Sequence, residues 1–200
     1  MRFSKFANFR FGIVTSTLYF ACVVHLTRAL AFYNDLRPCP GLKPVKIADL
    51  DKLLGKWHLA YLIMDAASEE YVENTLCVKG ELQRLNETSL RQVWSVDMPG
   101  MMGEHSAILD LPTEIVKPAV WMVQTPLGGL VKATVVDADP NSYLVVSHCG
   151  LHKGSMVHLW TGITTRSSRT SPMQQLQLTS ILVQHGFNPT VNKIISWNDC

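Results

Sequence analysis

The chain is poor in the short motifs that mark a reactive centre. It holds no G-x-S-x-G nucleophile turn, no H-E-x-x-H metal helix and no glycine-rich phosphate loop. Serine-hydrolase, zinc-protease and nucleotide-hydrolysing chemistries have no support in it. It also lacks a convincing membrane span. The apolar stretch Ile13–Val24 is 12 residues long, against roughly 20 for a helix that crosses a bilayer. Basic charge is scarce outside the first segment. Residues 1–31 hold four basic residues and no acid, and the rest carries 14 Lys+Arg against 16 Asp+Glu. Nucleic acid is therefore not expected as a partner. There is no internal repeat, no low-complexity tract and no obvious linker.

What is present begins with a targeting pattern. Arg2, Lys5 and Arg10 precede the apolar stretch, and Ala29-Leu30-Ala31 follows it as a small-x-small cleavage site. Residues 1–31 are read as a signal peptide and 32–200 as one secreted, extracellular domain. Cys22 leaves with the leader. Four cysteines stay, Cys39, Cys77, Cys149 and Cys200, an even number that suits two disulfides in an oxidising compartment. Their count alone leaves three pairings open. Asn86-Glu87-Thr88 is a glycosylation sequon.

Apolar segments then recur between turn-rich pieces. Strands are expected near 55–64, 75–84, 89–98, 104–111, 117–125, 129–137, 142–149 and 155–166. The pieces between them carry the Gly, Pro, Asn and Asp that supply turn dihedrals. Leu90, Trp94, Val96 and Met98 alternate with Arg91, Ser95 and Asp97, as in a half-buried strand. Leu53–Ile63, LLGKWHLAYLI, is apolar on both faces and alternation cannot orient it. Thr170–His185 has helical spacing, with Met173, Leu176 and Ile181 on one side. Ser171 is its N-cap, Pro172 its first residue and Gly186 its stop. A last short strand is expected over Val191–Trp197. Eight strands followed by one helix predict an all-β fold: an eight-stranded up-and-down antiparallel barrel with a C-terminal helix. A barrel of this size has room for core side chains or for one small ligand.

Gly55-Lys56-Trp57, preceded by the helical segment Ala48–Leu53, resembles the G-x-W signature of the lipocalins. Arg166, at the end of the eighth strand, is similar to the lipocalin arginine that covers that tryptophan. Cys39-Pro40, Tyr143 six residues before Cys149, and the terminal Asn198-Asp199-Cys200 resemble the apolipoprotein D-like subgroup. The resemblance implies a calyx plugged at one end by Gly55, Trp57 and Arg166, and disulfides Cys39–Cys149 and Cys77–Cys200. One motif departs: where the family commonly has Thr-Asp-Tyr, this chain has Ala138-Asp139-Pro140.

His148 beside Cys149 reads more simply as a histidine next to a disulfide than as a base beside a thiol. His148, His152 and His158 lack the cysteine pair that would complete a zinc site. No metal and no cofactor is expected, and no enzyme activity. A ligand pocket needs an apolar wall with a few placed polar groups. The candidate lining residues are Leu59, Tyr61, Trp94, Val96, Met98, Trp121, Tyr143 and Trp160, with plain core packing as the alternative for each. Lys132, sharing a strand face with Leu130 and Thr134, is the one candidate interior cation. Counting turns from Trp57 puts 84–88, 112–116 and 138–141 at the closed end. The mouth receives 65–74, 99–103, 126–129 and 150–154. Met101, Met102 and Leu127 then form a greasy mouth lip that suits ligand capture or contact with a lipid surface. The expected function is a secreted carrier of a small hydrophobic ligand of the lipid, sterol, retinoid or pigment class. The alternative is a secreted interaction protein with a packed barrel that serves as a loop scaffold.

Overall fold

The structure is a computed structural model that describes residues 37–47, 49–64, 77–97, 106–126, 128–187 and 193–196. Residues 1–31, Met98, Met101, Met102, Leu127 and Cys200 fall outside the described residues, and the leader, the lip and one cysteine pairing with them.

Trp57 lies at the start of the first strand, and its indole Nε1 donates to the carbonyl of Leu53, 2.8 Å away. Leu53 ends a short 3-10 helix, Leu50–Leu53, capped by the Asp49 side chain. Eight strands follow: β1 (Gly55–Met64), β2 (Cys77–Asn86), β3 (Ser89–Asp97), β4 (Ser106–Lys117), β5 (Val120–Gln124), β6 (Leu130–Asp139), β7 (Tyr143–His152) and β8 (Ser155–Thr165). Each pairs antiparallel with the next, and β1 pairs with both β8 and β2. The sheet thus closes on itself, as an up-and-down barrel does. β1 changes partner along its length. Gly55–His58 pair with β2, and Tyr61–Met64 pair with the short β9 (Lys193–Ser196).

Several turns depart from expectation; β6 runs on to Asp139 and β7 to His152, leaving 140–142 and 153–154 as turns. β4 runs through the expected turn at 112–116, and the chain reverses at Pro118–Ala119 instead. Pro112 was the misleading residue. Pairing with β5 begins only at Thr113↔Val123, so on that side Pro112 has no ladder to interrupt and its missing N–H is tolerated. β2 extends to Asn86, leaving only Glu87–Thr88 as the turn.

The helix α1 (Pro172–Gln184) has the expected ends. Ser171 Oγ accepts from the Gln174 amide, Pro172 opens the first turn, and Gly186 takes a φ of 83° after the last. Of the expected face only Ile181 is buried. Leu178, Ile181 and Leu182 are buried against the outer wall, while Met173, Leu176 and Val183 are exposed. The helix carries two apolar stripes, and periodicity cannot choose between them. The barrel chooses, because Ala60, Tyr61, Ile63, Val136, Val145 and Ile163 meet the first stripe. Each fully buried side chain there contributes about 1.5–3 kcal/mol.

The segment before the barrel is tied down at several points. The Cys39 amide donates to the Met156 carbonyl, the His158 amide to Arg37 and the Val45 amide to Val135. Cys39 is bonded to Cys149 across 110 residues of sequence. Closing so long a loop stabilises by about 4–5 kcal/mol in the chain-entropy model. Cys77 is also disulfide-bonded.

Candidate calyx of the barrel

The closed end is built around one tryptophan. The Arg166 guanidinium carbon lies 3.7 Å from the centroid of the Trp57 ring. A cation over an indole face is favourable by about 0.5–2 kcal/mol. The fork also satisfies three carbonyls: Nε donates to Pro140, one terminal nitrogen to Lys56 and the other to Lys52, each at 2.9 Å. Gly55 has a φ of 94°, and a Cβ there would sit 3.5 Å from the guanidinium. Asp139, the part of the second motif that this chain keeps, accepts the Asn141 amide at 3.0 Å. It thereby shapes the turn whose Pro140 carbonyl meets Arg166.

Above this plug the inward side chains fall into two zones. Trp57 is 0% exposed and Trp121 1%. They pack with Leu82, Leu90, Val135 and Leu144 in one dry cluster. Towards the other end, Leu59, Leu62, Trp94, Val96, Leu111 and Trp160 all remain partly exposed. The Trp94 ring lies over Gly80, its cross-strand partner; a Cβ on Gly80 would fall 2.3 Å from that ring. Polar contacts in this zone are few. Gln92 donates to Thr113 Oγ1 at 3.0 Å, and Thr113 donates to the Leu111 carbonyl. The Trp94 indole donates to Gln92 at 3.4 Å. His148 stacks on Trp160 with ring centroids 4.6 Å apart and planes 19° from parallel.

Several expected lining residues lie elsewhere. Tyr61 and Tyr143 sit on the outer face, packed with the helix. For Tyr61 the cause is a bulge between Leu59 and Tyr61. One extra residue reverses the alternation, so Leu59 and Leu62 point in while Ala60, Tyr61 and Ile63 point out. Tyr143 shares the outer face with Val145, and its hydroxyl meets Asp137 at 3.4 Å. Burial, and then the Asp137 carboxylate, raise its pKa above the ordinary tyrosine value. Trp121 belongs to the dry cluster, with its indole donating to the Pro118 carbonyl at 3.1 Å. Lys132 is exposed, on the strand face opposite Val131 and Ala133. Asn86 is exposed, and its side-chain oxygen accepts from the Thr88 amide and hydroxyl. Among the described residues no three His, Cys, Asp or Glu side chains are grouped to hold a metal.

No family model matches the sequence, and no curated protein matches it. Solved structures do match. The siderocalin Ex-FABP, described as functioning through dual ligand specificities, superposes with a TM-score of 0.55 at 14% identity. The match covers 74% of this chain and 95% of that one. Apocrustacyanin C2 superposes with a TM-score of 0.56 at 11% identity, over 83% of this chain and 93% of that one. These chains share the closed eight-stranded antiparallel barrel with one C-terminal helix. The fold is that of the lipocalins.

Within this lipocalin barrel the sequence reading missed five inward residues: Leu62, Gln92, Leu111, Thr113 and His148. Strict alternation was a sufficient signal for two. Gln92 falls between Leu90 and Trp94 on the inner face, and His148 follows Val146 by two. Leu62 was hidden by the bulge, and Leu111 and Thr113 by the expected turn at Pro112.

Proposed function

We propose that this lipocalin is a secreted carrier that holds a small hydrophobic ligand in the half of its barrel away from Trp57. The observation that carries this reading is the graded burial of the inner wall. The same inward face is dry around Trp57 and Trp121, yet leaves Trp94, Trp160 and four aliphatic neighbours partly exposed. A ligand covering these groups removes apolar area from water at about 25 cal/mol per Å², less the cost of association. In this reading the barrel performs no chemistry, and Leu59, Trp94, Val96 and Trp160 are wall contacts. From its spacing in the sequence, Met98 is proposed as a further wall contact. Residues 1–31 serve as the signal peptide, Asn86 as the glycan site and Cys77–Cys200 as the second disulfide. The reading extends to an affinity with the apolipoprotein D-like subgroup, on Cys39-Pro40 and Tyr143 before Cys149.

A lipid surface is the proposed second contact, at the mouth. Leu130, Leu151 and Met156 form one cross-strand row at the ends of β6, β7 and β8 and are 63%, 72% and 40% exposed. Lys132 and Lys153 flank the row and match the charge of an anionic leaflet. Met101, Met102 and Leu127 would extend it. Sedimentation with anionic vesicles tests this contact, and unchanged binding by Leu130→Ser/Leu151→Ser removes it.

Native mass spectrometry of the secreted protein is the direct test of the carrier reading, because a copurifying ligand is weighed. Titration with fatty acids, sterols, retinoids, carotenoids and bilins is the second. Silence to all five classes would favour the packed interaction scaffold.

A further inference from the structure

His148 is the polar side chain of the inner wall that has no partner for Nδ1. It faces inward because Ala133, its partner on β6, and Val146, two residues before it, both belong to the interior cluster. Trp160 opposes it on β8 and stacks on its ring. Nδ1 is fully shielded from solvent and makes no hydrogen bond. The carbonyls of Val146 and Trp160 lie near enough to favour an N–H on the ring, yet neither reaches Nδ1 with hydrogen-bond geometry. Gln92 and Thr113, also polar and inward here, are already bonded to one another. A ring nitrogen that meets no protein partner leaves one net hydrogen bond, about 0.5–1.5 kcal/mol, for a ligand to supply.

We propose that His148 is the polar anchor of the calyx, and that it selects uncharged ligands carrying a hydroxyl group. The inference rests on the carrier reading above. The Val146 and Trp160 carbonyls favour an N–H at the shielded Nδ1, which leaves the lone pair on Nε2, and the matching ligand group is an O–H donor. The apolar part of the ligand then lies against Trp160, Leu59 and Gly162, where an added Cβ would come within 3.4 Å of Leu59 Cδ1. Desolvation by burial is the main cause that lowers the His148 pKa to about 3, with His158 adding to it. The ring is therefore neutral at physiological pH and gives a carboxylate no charge to pair with. Fatty or retinoid acids are disfavoured relative to the corresponding alcohols.

The test uses the full secreted chain and two scaffolds, a retinoid and a dodecyl chain, each as alcohol, methyl ether and acid. Affinities are read by calorimetry at neutral pH. The alcohol is expected to bind about three- to tenfold tighter than the ether, the range of one net hydrogen bond, with the acid weakest. In His148→Phe, which keeps the stack on Trp160, the alcohol and ether should bind equally. As a check independent of any variant, the imidazole nitrogen resonances of the native protein should shift with the alcohol and not with the ether. Equal binding of alcohol and ether by the native chain, or an alcohol preference that survives His148→Phe, overturns the anchor while the carrier reading stands. No binding of any of the six compounds overturns the anchor, and the carrier reading falls with it only if sterols, carotenoids and bilins are silent too.

Discussion

Four described tryptophans point into one barrel, and they divide cleanly. Trp57 and Trp121 are sealed, each with its indole N–H bonded to a backbone carbonyl, Leu53 in one case and Pro118 in the other. Trp94 and Trp160 are partly exposed and lean on side chains, Gln92 for the first and His148 for the second. A residue whose polar atom is held by the backbone is part of the frame. A residue held by other side chains can adjust when something enters. The interior of the closed half is thus a packed frame, and the other half is where the proposed ligand would sit.

Substitutions can break that division or sharpen it. Trp57→Ala should have the largest effect, a loss of about 3–5 kcal/mol, since it removes a sealed core ring and the surface under Arg166. Trp94→Ala should cost well under half as much in the same denaturant titration, and a comparable loss would erase the contrast. Arg166→Met keeps cover over the indole but strands the carbonyls of Pro140, Lys56 and Lys52; about 2–3 kcal/mol should go, with ligand affinity unchanged.

Acid should act through the binding half. His148 titrates near pH 3 in the fold, against an ordinary 6.5. As pH falls below 6.5 the unfolded chain takes up its proton first. Its contribution to stability is therefore complete above that point and declines until about pH 3. At about 1.4 kcal/mol per pH unit, roughly 2 kcal/mol is lost by pH 5. His148→Gln should flatten this part of the stability–pH curve, and an identical curve would show that the group does not titrate as stated. Gly80→Ala should displace the Trp94 ring and press on the Val93 carbonyl, at a cost of about 1–3 kcal/mol. Trp94 emission should shift while that of the sealed pair does not.

The strands were legible because their ends carry turn residues, and the plug was legible because Gly55, Trp57 and Arg166 recur as a set. Which way particular side chains point was less so. A one-residue bulge after Leu59 turned Tyr61 from the expected wall to the helix side, and no residue type in Leu59-Ala60-Tyr61 announces it. The helix could be placed but not rotated, since Met173, Leu176 and Val183 are as apolar as the buried set. Pro112 misled because its tolerance depends on where β5 stops, a property of the neighbouring strand. His148 was passed over beside a disulfide cysteine, although its place two residues after Val146 made it inward.

The bond between Cys39 and Cys149 has a consequence for how the protein is made. A ribosome adding about 5–20 residues each second needs roughly 6–20 s to travel the 110 residues between them. During that interval Cys39 is without its native partner. β1 waits still longer for β8, its hydrogen-bonded neighbour in the finished barrel. The first strand to emerge is thus among the last to be fully paired, and it carries Trp57, the ring on which the closed end is assembled.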